Sequence, residues 1–184
     1  MSVDQKISIL WKSFQVGNME AFASIYNQHL NALYRYGTKL CADEEIVKDA
    51  IQEVFLDLYL KREKNKTNPE NLKYYLILSL KRNLIKKLKK DRKSGVSNSG
   101  YELPFDSECN MEQIMIENEE ETEKSRRIEY MISQLTVKQK EVLYLRFNES
   151  MEYSEIAKVM KISVESVRKQ VYRAIKTVRE VFVK

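Results

Sequence analysis

One stretch of the sequence concentrates cationic side chains along a predicted helix. Residues 80–93 read LKRNLIKKLKKDRK. Like charges crowded along one helix repel each other, so such a helix is stabilised when phosphate groups neutralise them. The pattern is therefore typical of a surface that binds a polyanion. The candidate contacts in this stretch are Lys81, Arg82, Lys86, Lys87 and Lys90.

A polar turn before this helix adds three more candidates, Lys64, Asn65 and Lys66. Tyr74 and Tyr75 follow the turn, and unpaired bases stack on aromatic rings that lie beside basic residues. Tyr75 also falls on the apolar stripe of its helix, so core packing is the alternative for that side chain. A basic helix can lie on an anionic membrane, but these leucines form one narrow stripe rather than a wide apolar face. The pattern favours nucleic acid.

The C-terminal segment has the spacing of a helix-turn-helix. A short helix is predicted over residues 153–160, a tight turn at Lys161 and Ile162, and a long last helix after Ser163, a suitable N-cap. Ala157 is small enough for two helices to cross closely. Possible donors to base edges and phosphates are Ser166, Arg168, Lys169, Arg173 and Lys176. A structural three-helix bundle is the alternative.

Residue types that would indicate catalysis are sparse. His29 is the single histidine, and we find no nucleophile–base pair, no paired-carboxylate pocket and no glycine-rich phosphate loop. Asp49 and Glu53 share one helix face, which favours a docking surface over a cation site or catalysis. Cys41 and Cys109 lack a metal-ligand spacing and imply no disulfide framework, which fits a reducing cytosol. We therefore predict no enzyme, no catalytic residue, no metal, no cofactor and no small-molecule substrate.

The elements that position these residues are predicted to be helices. The chain has 184 residues with 4 glycines and 2 prolines, far below ordinary usage of about 12%. That is too few for the turns of a β-sandwich or the glycines of a Rossmann fold. Apolar periodicity predicts helices at about 4–14, 18–41, 43–61, 70–93, 137–147, 153–160 and 164–183. The predicted class is all-α. The last helix is predicted to bury Val164, Val167, Val171, Ile175, Val178 and Phe182.

Charge divides the chain into three blocks. Residues 1–93 carry 18 basic and 11 acidic side chains, residues 94–124 carry 1 and 9, and residues 125–184 carry 13 and 7. Two basic modules separated by an acidic one favour a polyanion touched at two places over charge scattered by chance. We predict domains at 1–93 and 125–184, joined by a flexible acidic linker at 94–124. Because no signal-peptide core or membrane span is evident, we expect a cytoplasmic protein.

These residues resemble the extracytoplasmic-function (group IV, sigma-70 family) sigma factors of bacterial RNA polymerase, over about 18–93 and 129–180. DAIQEVFLDLY at 49–59 is similar to the family's polymerase-binding helix. The resemblance implies that Asp49, Gln52 and Glu53 dock on the clamp helices of the β′ subunit. YLILSLKRNLIKKLKK at 75–90 resembles the helix that engages the minus-10 element, which adds Asn83 after Arg82.

The second module carries the more specific part of the resemblance. LTVKQKEVLYLRF and YSEIAKVMKISVESVRKQVYRAIK resemble the family's minus-35 reader. The residues implied to face the minus-35 groove are Glu165, Ser166, Arg168, Lys169, Tyr172 and Arg173. The implied fold is a region 2-like helical bundle and a region 4-like helix-turn-helix joined by the acidic linker. The implied partners are core RNA polymerase (β′ clamp helices and β flap), promoter DNA and an anti-sigma factor.

Three positions depart from the family pattern. Lys87 stands where the family usually has Asp, Lys161 where it commonly has the turn Gly, and Glu165 where it has Gly. Glu165 can accept from a cytosine amino group or repel phosphates. The acidic linker either threads through polymerase in place of RNA or serves as a solvated spacer. A helix-turn-helix regulator that acts without polymerase is the alternative function, although it leaves the 49–59 surface without a purpose.

Overall fold

The structure is a computed structural model that describes residues 3–64, 72–91, 103–105 and 119–182. Within these ranges all regular secondary structure is helical, which confirms the predicted all-α class. The chain divides into two compact units, Met1–Leu103 and Pro104–Lys184. Of the predicted linker, residues 94–102 and 106–118, with Cys109, lie outside the described residues, as do Asn65 and Lys66.

The first unit is built from four α-helices and one short turn. These are α1 (Val3–Gln15), α2 (Met19–Leu40), α3 (Glu44–Leu60), a 3-10 turn (Arg62–Lys64) and α4 (Leu72–Asp91). The Asn18 side chain accepts from the Ala21 amide at 2.8 Å and caps α2. Asp43 caps α3 in the same way.

Helices α2, α3 and α4 pack against one another, and α1 packs on α2. Their shared core contains Leu33, Tyr36, Leu58 and Leu80, all at most 1% exposed. An aromatic cluster closes the end nearest α1, where the Phe22 ring lies 5.2 Å from Tyr59. Burying one large apolar side chain stabilises a fold by roughly 1.5–3 kcal/mol, so this core holds α3 and α4 firmly beside each other.

Close approach of α2 to its neighbours requires a glycine. Gly37 is buried, and a Cβ at this position would lie 2.6 Å from Val47 Cγ1 and 3.5 Å from Leu80 Cδ2. The Gly37 backbone also accepts the Cys41 amide at 3.0 Å, which ends α2. The missing side chain thus sets how near α3 comes to α2.

The second unit contains α5 (Glu119–Ser133), α6 (Val137–Leu143), a π turn (Tyr144–Asn148), α7 (Tyr153–Met160) and α8 (Val164–Phe182). Helices α5, α6 and α7 all pack on α8. Thr136 caps α6 through a capping box with Gln139. Within the stretch predicted as linker, Phe105 is buried and its ring lies 5.6 Å from that of Tyr144.

The predicted buried stripe of α8 is only partly correct. Val167, Val171 and Ala174 are buried and Val178 is half-buried, whereas Val164, Ile175 and Phe182 are 36%, 41% and 74% exposed. Val164 and Phe182 lie at the two ends of α8, where fewer neighbouring residues cover a helix. In the middle of α8 the buried position is Ala174 and not the adjacent Ile175.

We predict that Gly37→Ala destabilises the first unit. Overpacking typically costs about 1–3 kcal/mol, which exceeds the helix preference of alanine over glycine of about 1 kcal/mol or less. Thermal unfolding should show a Tm lower by about 4–8 °C for each net kcal/mol.

The double variant Gly37→Ala/Val47→Ala is the control for this prediction. It removes the Cγ atom that the new methyl meets, so its loss of stability should be smaller than the sum of the single losses. An unchanged Tm for Gly37→Ala alone would contradict the prediction, because it would show that α2 can move away from its neighbours with little loss of folding free energy.

Candidate nucleic-acid interface

The α4 helix presents a cationic face because its other face is buried. Leu76, Leu80 and Leu84 are fully buried, whereas Arg82, Lys86 and Lys90 are exposed. Lys81, Asn83 and Lys87 are half-buried at the border between the two faces. Of the predicted minus-10 residues of α4, Arg82, Lys86 and Lys90 therefore share the exposed face, and Lys81, Asn83 and Lys87 flank it.

The turn before α4 is described only in part. Lys64 is exposed and ends the 3-10 turn. Tyr74 and Tyr75 are both half-buried, so each ring is partly packed and partly open to solvent. Tyr75 therefore has a packed part, as core packing predicts, and a solvent-accessible part, as base stacking requires.

Asp49, Gln52 and Glu53, named here the α3 triad, share the exposed face of α3. This face is exposed because the opposite side of α3 is buried in the core. The buried residues are Val47, Ala50, Ile51 and Val54. Leu56 continues it one turn further and is 56% exposed. An exposed apolar side chain beside polar groups is a composition found in protein interfaces.

Glu53 connects the α3 triad to the candidate DNA face. Its Oε2 accepts from Asn83 Nδ2 at 2.7 Å, and its Oε1 accepts from Lys87 Nζ at 2.7 Å. The three residues therefore form one cluster, named here the Glu53 bridge. Sequence reasoning placed them in two separate surfaces. The only local signal was the i, i+4 spacing of Asn83 and Lys87, which puts both on one helix face.

The two donors act on the charge state of Glu53. The hydrogen bond from Lys87, followed by that from Asn83, lowers the pKa of the Glu53 carboxyl below its ordinary value. The Glu53 side chain is 54% exposed and that of Lys87 is 24% exposed. The bridge is therefore partly sheltered, and its carboxylate stays ionised throughout the neutral range.

The second unit contains the predicted helix-turn-helix. The Ser163 hydroxyl accepts from the Ser166 amide at 3.1 Å, which confirms Ser163 as the cap of α8. Ala157 is buried where α7 meets α8. Lys161, between the two helices, has φ 54° and ψ 44°, the left-handed conformation that favours glycine.

The outer face of α8 carries the predicted minus-35 residues. Arg168, Lys169, Tyr172, Arg173 and Lys176 are all exposed, and Ser166 is half-buried. Glu165 forms an ion pair with Lys169, Oε1 to Nζ 2.7 Å. The acid at this position therefore neutralises a neighbouring donor.

An aromatic ring of α7 lies beside this face. The Arg168 guanidinium is 6.0 Å from the ring centroid of Tyr153, and that of Arg146 is 4.8 Å from it. Arg146 also donates to the Met151 carbonyl at 2.7 Å. The sequence did not predict these cation–π contacts, because Arg146, Tyr153 and Arg168 lie in three separate segments and no spacing rule relates them.

Three further observations concern metal ligands, the single histidine and membrane-spanning helices. No group of three or more His, Cys, Asp or Glu side chains in the described ranges could hold a metal ion. His29 is half-buried, and desolvation followed by the charge of Lys73 lowers its pKa. No described helix has the length and hydropathy needed to cross a membrane.

Comparisons with known proteins match both units. A family model described as Sigma-70 region 2 matches residues 25–94, and one described as Sigma-70, region 4 matches residues 125–178. Together they cover about two thirds of the chain. Among curated proteins no significant match is found.

Solved structures share the fold at low sequence identity. CnrH, in a structure titled as its complex with the cytosolic domain of CnrY, is 18% identical, with 95% of each chain covered and a TM-score of 0.57. The sigma factor RpoE, in complex with the anti-sigma factor NepR from Bartonella quintana, is 17% identical. That match covers 88% of this chain and 96% of the other, with a TM-score of 0.54.

We predict that the Glu53 bridge contributes stability that disappears in acid. A lowered folded-state pKa means that the contribution is present above the unfolded pKa of about 4.3 and is lost as pH falls through the folded pKa. Glu53→Gln should therefore have a lower Tm than wild type at pH 7, and the difference should shrink at pH 3.

Asp49→Asn is the matched control for this pH series. It neutralises a carboxylate on the same face of α3 that lies outside the Glu53 bridge, and we expect its Tm to follow wild type at both pH values. A Tm difference for Glu53→Gln that is equally large at pH 3 and pH 7 contradicts the assignment.

Proposed function

The chain belongs to the sigma-70 family of sigma factors, and from this premise we propose that it is an extracytoplasmic-function sigma factor of bacterial RNA polymerase. In this role it binds the core enzyme in the cytoplasm and directs promoter-specific initiation. Sigma factors are not enzymes, so recognition comes from this chain and the nucleotidyl transfer from polymerase. The observation that carries the proposal is that each family match contains one of the two basic surfaces, on α4 and on α8.

The α3 triad is the proposed contact with the clamp helices of the β′ subunit. Asp49 and Gln52 are exposed on a helix whose other side is fixed in the core. A rigid helix loses little conformational entropy when a partner covers it. Leu56 on the same face supplies apolar area that excludes water around the polar contacts.

The α4 face is the proposed site for the opened minus-10 strand. Its exposed cations neutralise phosphates, and the half-buried Tyr74 and Tyr75 offer rings near the start of the same helix. Holding an unpaired base outside the stack offsets an unstacking free energy of a few kcal/mol. The contacts thereby favour strand opening. The residues assigned to this site are Lys64, Asn65, Lys66, Lys81, Arg82, Asn83, Lys86, Lys87 and Lys90.

The α8 face is the proposed reader of minus-35 duplex. Arg168 and Lys169 lie near the N-terminal end of α8, where a recognition helix contacts base edges, and Arg173 and Lys176 lie where it contacts phosphates. The Glu165 ion pair leaves Arg168 as the more available base reader. Because both surfaces belong to one chain, binding at one raises the effective concentration of the other.

Partners beyond polymerase and DNA follow from the similar structures. RpoE was solved with an anti-sigma factor and CnrH with the cytosolic domain of CnrY. We infer that an anti-sigma factor restrains this chain as well. Such a partner competes with core polymerase or promoter DNA for the same exposed faces.

We predict that Asp49→Ala/Gln52→Ala impairs polymerase-dependent initiation. Run-off transcription with bacterial core polymerase on a promoter library measures the protein concentration that gives half-maximal product. That concentration should rise about tenfold or more, because truncation of central interface residues costs about 2 kcal/mol each. Glu53 is left intact so that the Glu53 bridge is unchanged.

Asp57→Ala is the control for this measurement, since Asp57 is exposed on α3 and pairs with Lys61. It should behave as wild type. If core polymerase gains no initiation from wild type while the protein alone binds duplex DNA, the chain is a polymerase-independent regulator and the proposal fails.

We predict that Arg168→Ala relaxes the minus-35 preference. A bidentate contact with a base contributes about 1–3 kcal/mol of discrimination, or about 5- to 150-fold at the position read. Base preferences recovered from the promoter library should flatten at one minus-35 position and stay unchanged at minus-10.

Arg179→Ala removes an equal charge from the exposed far end of α8 and serves as the control. It should leave the base preferences intact. Equal flattening of the minus-35 preference by both variants would mean that α8 contributes charge alone.

A further inference from the structure

Glu53 differs from the other two members of the α3 triad in what it touches. Both of its carboxylate oxygens are occupied inside the first unit, one by Asn83 and one by Lys87, each at 2.7 Å. These partners lie 30 and 34 residues away along the chain. Glu53 therefore contacts α4 within the first unit, whether or not a partner covers α3.

The bridge determines how the Asn83 amide is oriented. A carboxylate accepts and cannot donate, so the Asn83 side chain must turn its Nδ2 toward Glu53. Its Oδ1 is then buried without a hydrogen-bond partner among the described residues. An unpaired buried acceptor is unfavourable, so the amide keeps this orientation only while the carboxylate holds the opposite side.

The bridge also changes the charge pattern along α4. Lys87 Nζ is held beside a carboxylate, whereas the adjacent Lys86 is exposed. A lysine paired in this way contributes less to phosphate neutralisation than its neighbours do. The run of cations on α4 is therefore interrupted at Lys87.

We propose that Glu53 is a positioning residue for the nucleic-acid face of α4, through its hydrogen bonds to Asn83 and Lys87. It holds the Asn83 amide in one orientation and keeps the Lys87 charge beside α3 rather than beside the phosphates. This inference rests on the proposed function and gives it a further property: one side chain belongs to both the docking face and the strand-binding face.

Docking and positioning predict different responses to protein concentration. A variant that only weakens docking is rescued when enough protein is added, because core polymerase becomes saturated. A variant that misplaces Asn83 and Lys87 remains altered in saturated holoenzyme. The relevant readouts are therefore the plateau of run-off product, the minus-10 base preference and the salt dependence of promoter binding.

The experiment compares wild type, Glu53→Gln and Asp49→Asn as holoenzymes with bacterial core polymerase on the promoter library. Both substitutions remove one negative charge from the exposed face of α3. Asp49→Asn should raise the half-saturating concentration and leave the minus-10 preference at saturation unchanged. Glu53→Gln should relax the preference at one minus-10 position by about fivefold even at saturation.

Salt titrations on a promoter recovered with wild type test the role of Lys87 separately. Each single-strand phosphate contact adds about 0.7 to the slope of log affinity against log salt. Glu53→Gln should steepen the slope by about that amount, because it releases Lys87. Lys86→Ala should make the wild-type slope shallower by about 0.7, whereas Lys87→Ala should make it shallower by less, because Lys87 already pairs with Glu53. Adding Lys87→Ala to Glu53→Gln should abolish the steepening.

The outcomes separate this inference from the proposed function. If Glu53→Gln behaves like Asp49→Asn at saturation, with an unchanged base preference and salt slope, Glu53 is a docking contact only and the inference is overturned. If wild type itself gives no polymerase-dependent product, the proposed function fails first and the inference fails with it. Circular dichroism melts confirm that each variant is folded before these results are interpreted.

Discussion

Six basic side chains fall within residues 81–90 of α4, and their mutual repulsion opposes the helix that carries them. Burial of Leu76, Leu80 and Leu84 against α2 and α3 supplies the opposing free energy, roughly 1.5–3 kcal/mol for each side chain. Everything that the first unit offers to a polyanion depends on this balance. The apolar face keeps the cations on a rigid frame, and Glu53 reduces the repulsion where it pairs with Lys87. Phosphates would complete the neutralisation that the protein alone leaves unfinished.

Features set by neighbours along the chain could be predicted from sequence. The caps at Asn18, Thr136 and Ser163 depend on one side chain and the next helical turn, and all three are present. The spacing of the helix-turn-helix is local in the same sense. Apolar periodicity predicted the positions of most helices along the chain but not which helices cover one another. Ile175 and Phe182 follow the apolar pattern of α8 and are nevertheless exposed.

Features set by distant segments could not be predicted in this way. The Glu53 bridge depends on how α3 crosses α4, and that crossing depends on packing at positions such as Gly37. The contact of Tyr153 with Arg146 and Arg168 likewise joins separate helices. In both cases the sequence did not predict which of these residues contact one another. Family resemblance assigns residues to surfaces, whereas side-chain geometry shows which of them act together.

Lys161, the left-handed residue between α7 and α8, affects the stability of the second unit but not the side chains on the outer face of α8. A non-glycine residue at φ 54° carries backbone strain of roughly 1–2 kcal/mol, and Lys161 is exposed rather than part of the core. Replacement by glycine or asparagine at this position would relieve strain without altering the side chains of α8. The stability of the second unit can therefore be changed, by evolution or by design, without changing the exposed residues of α8 that are proposed to contact DNA.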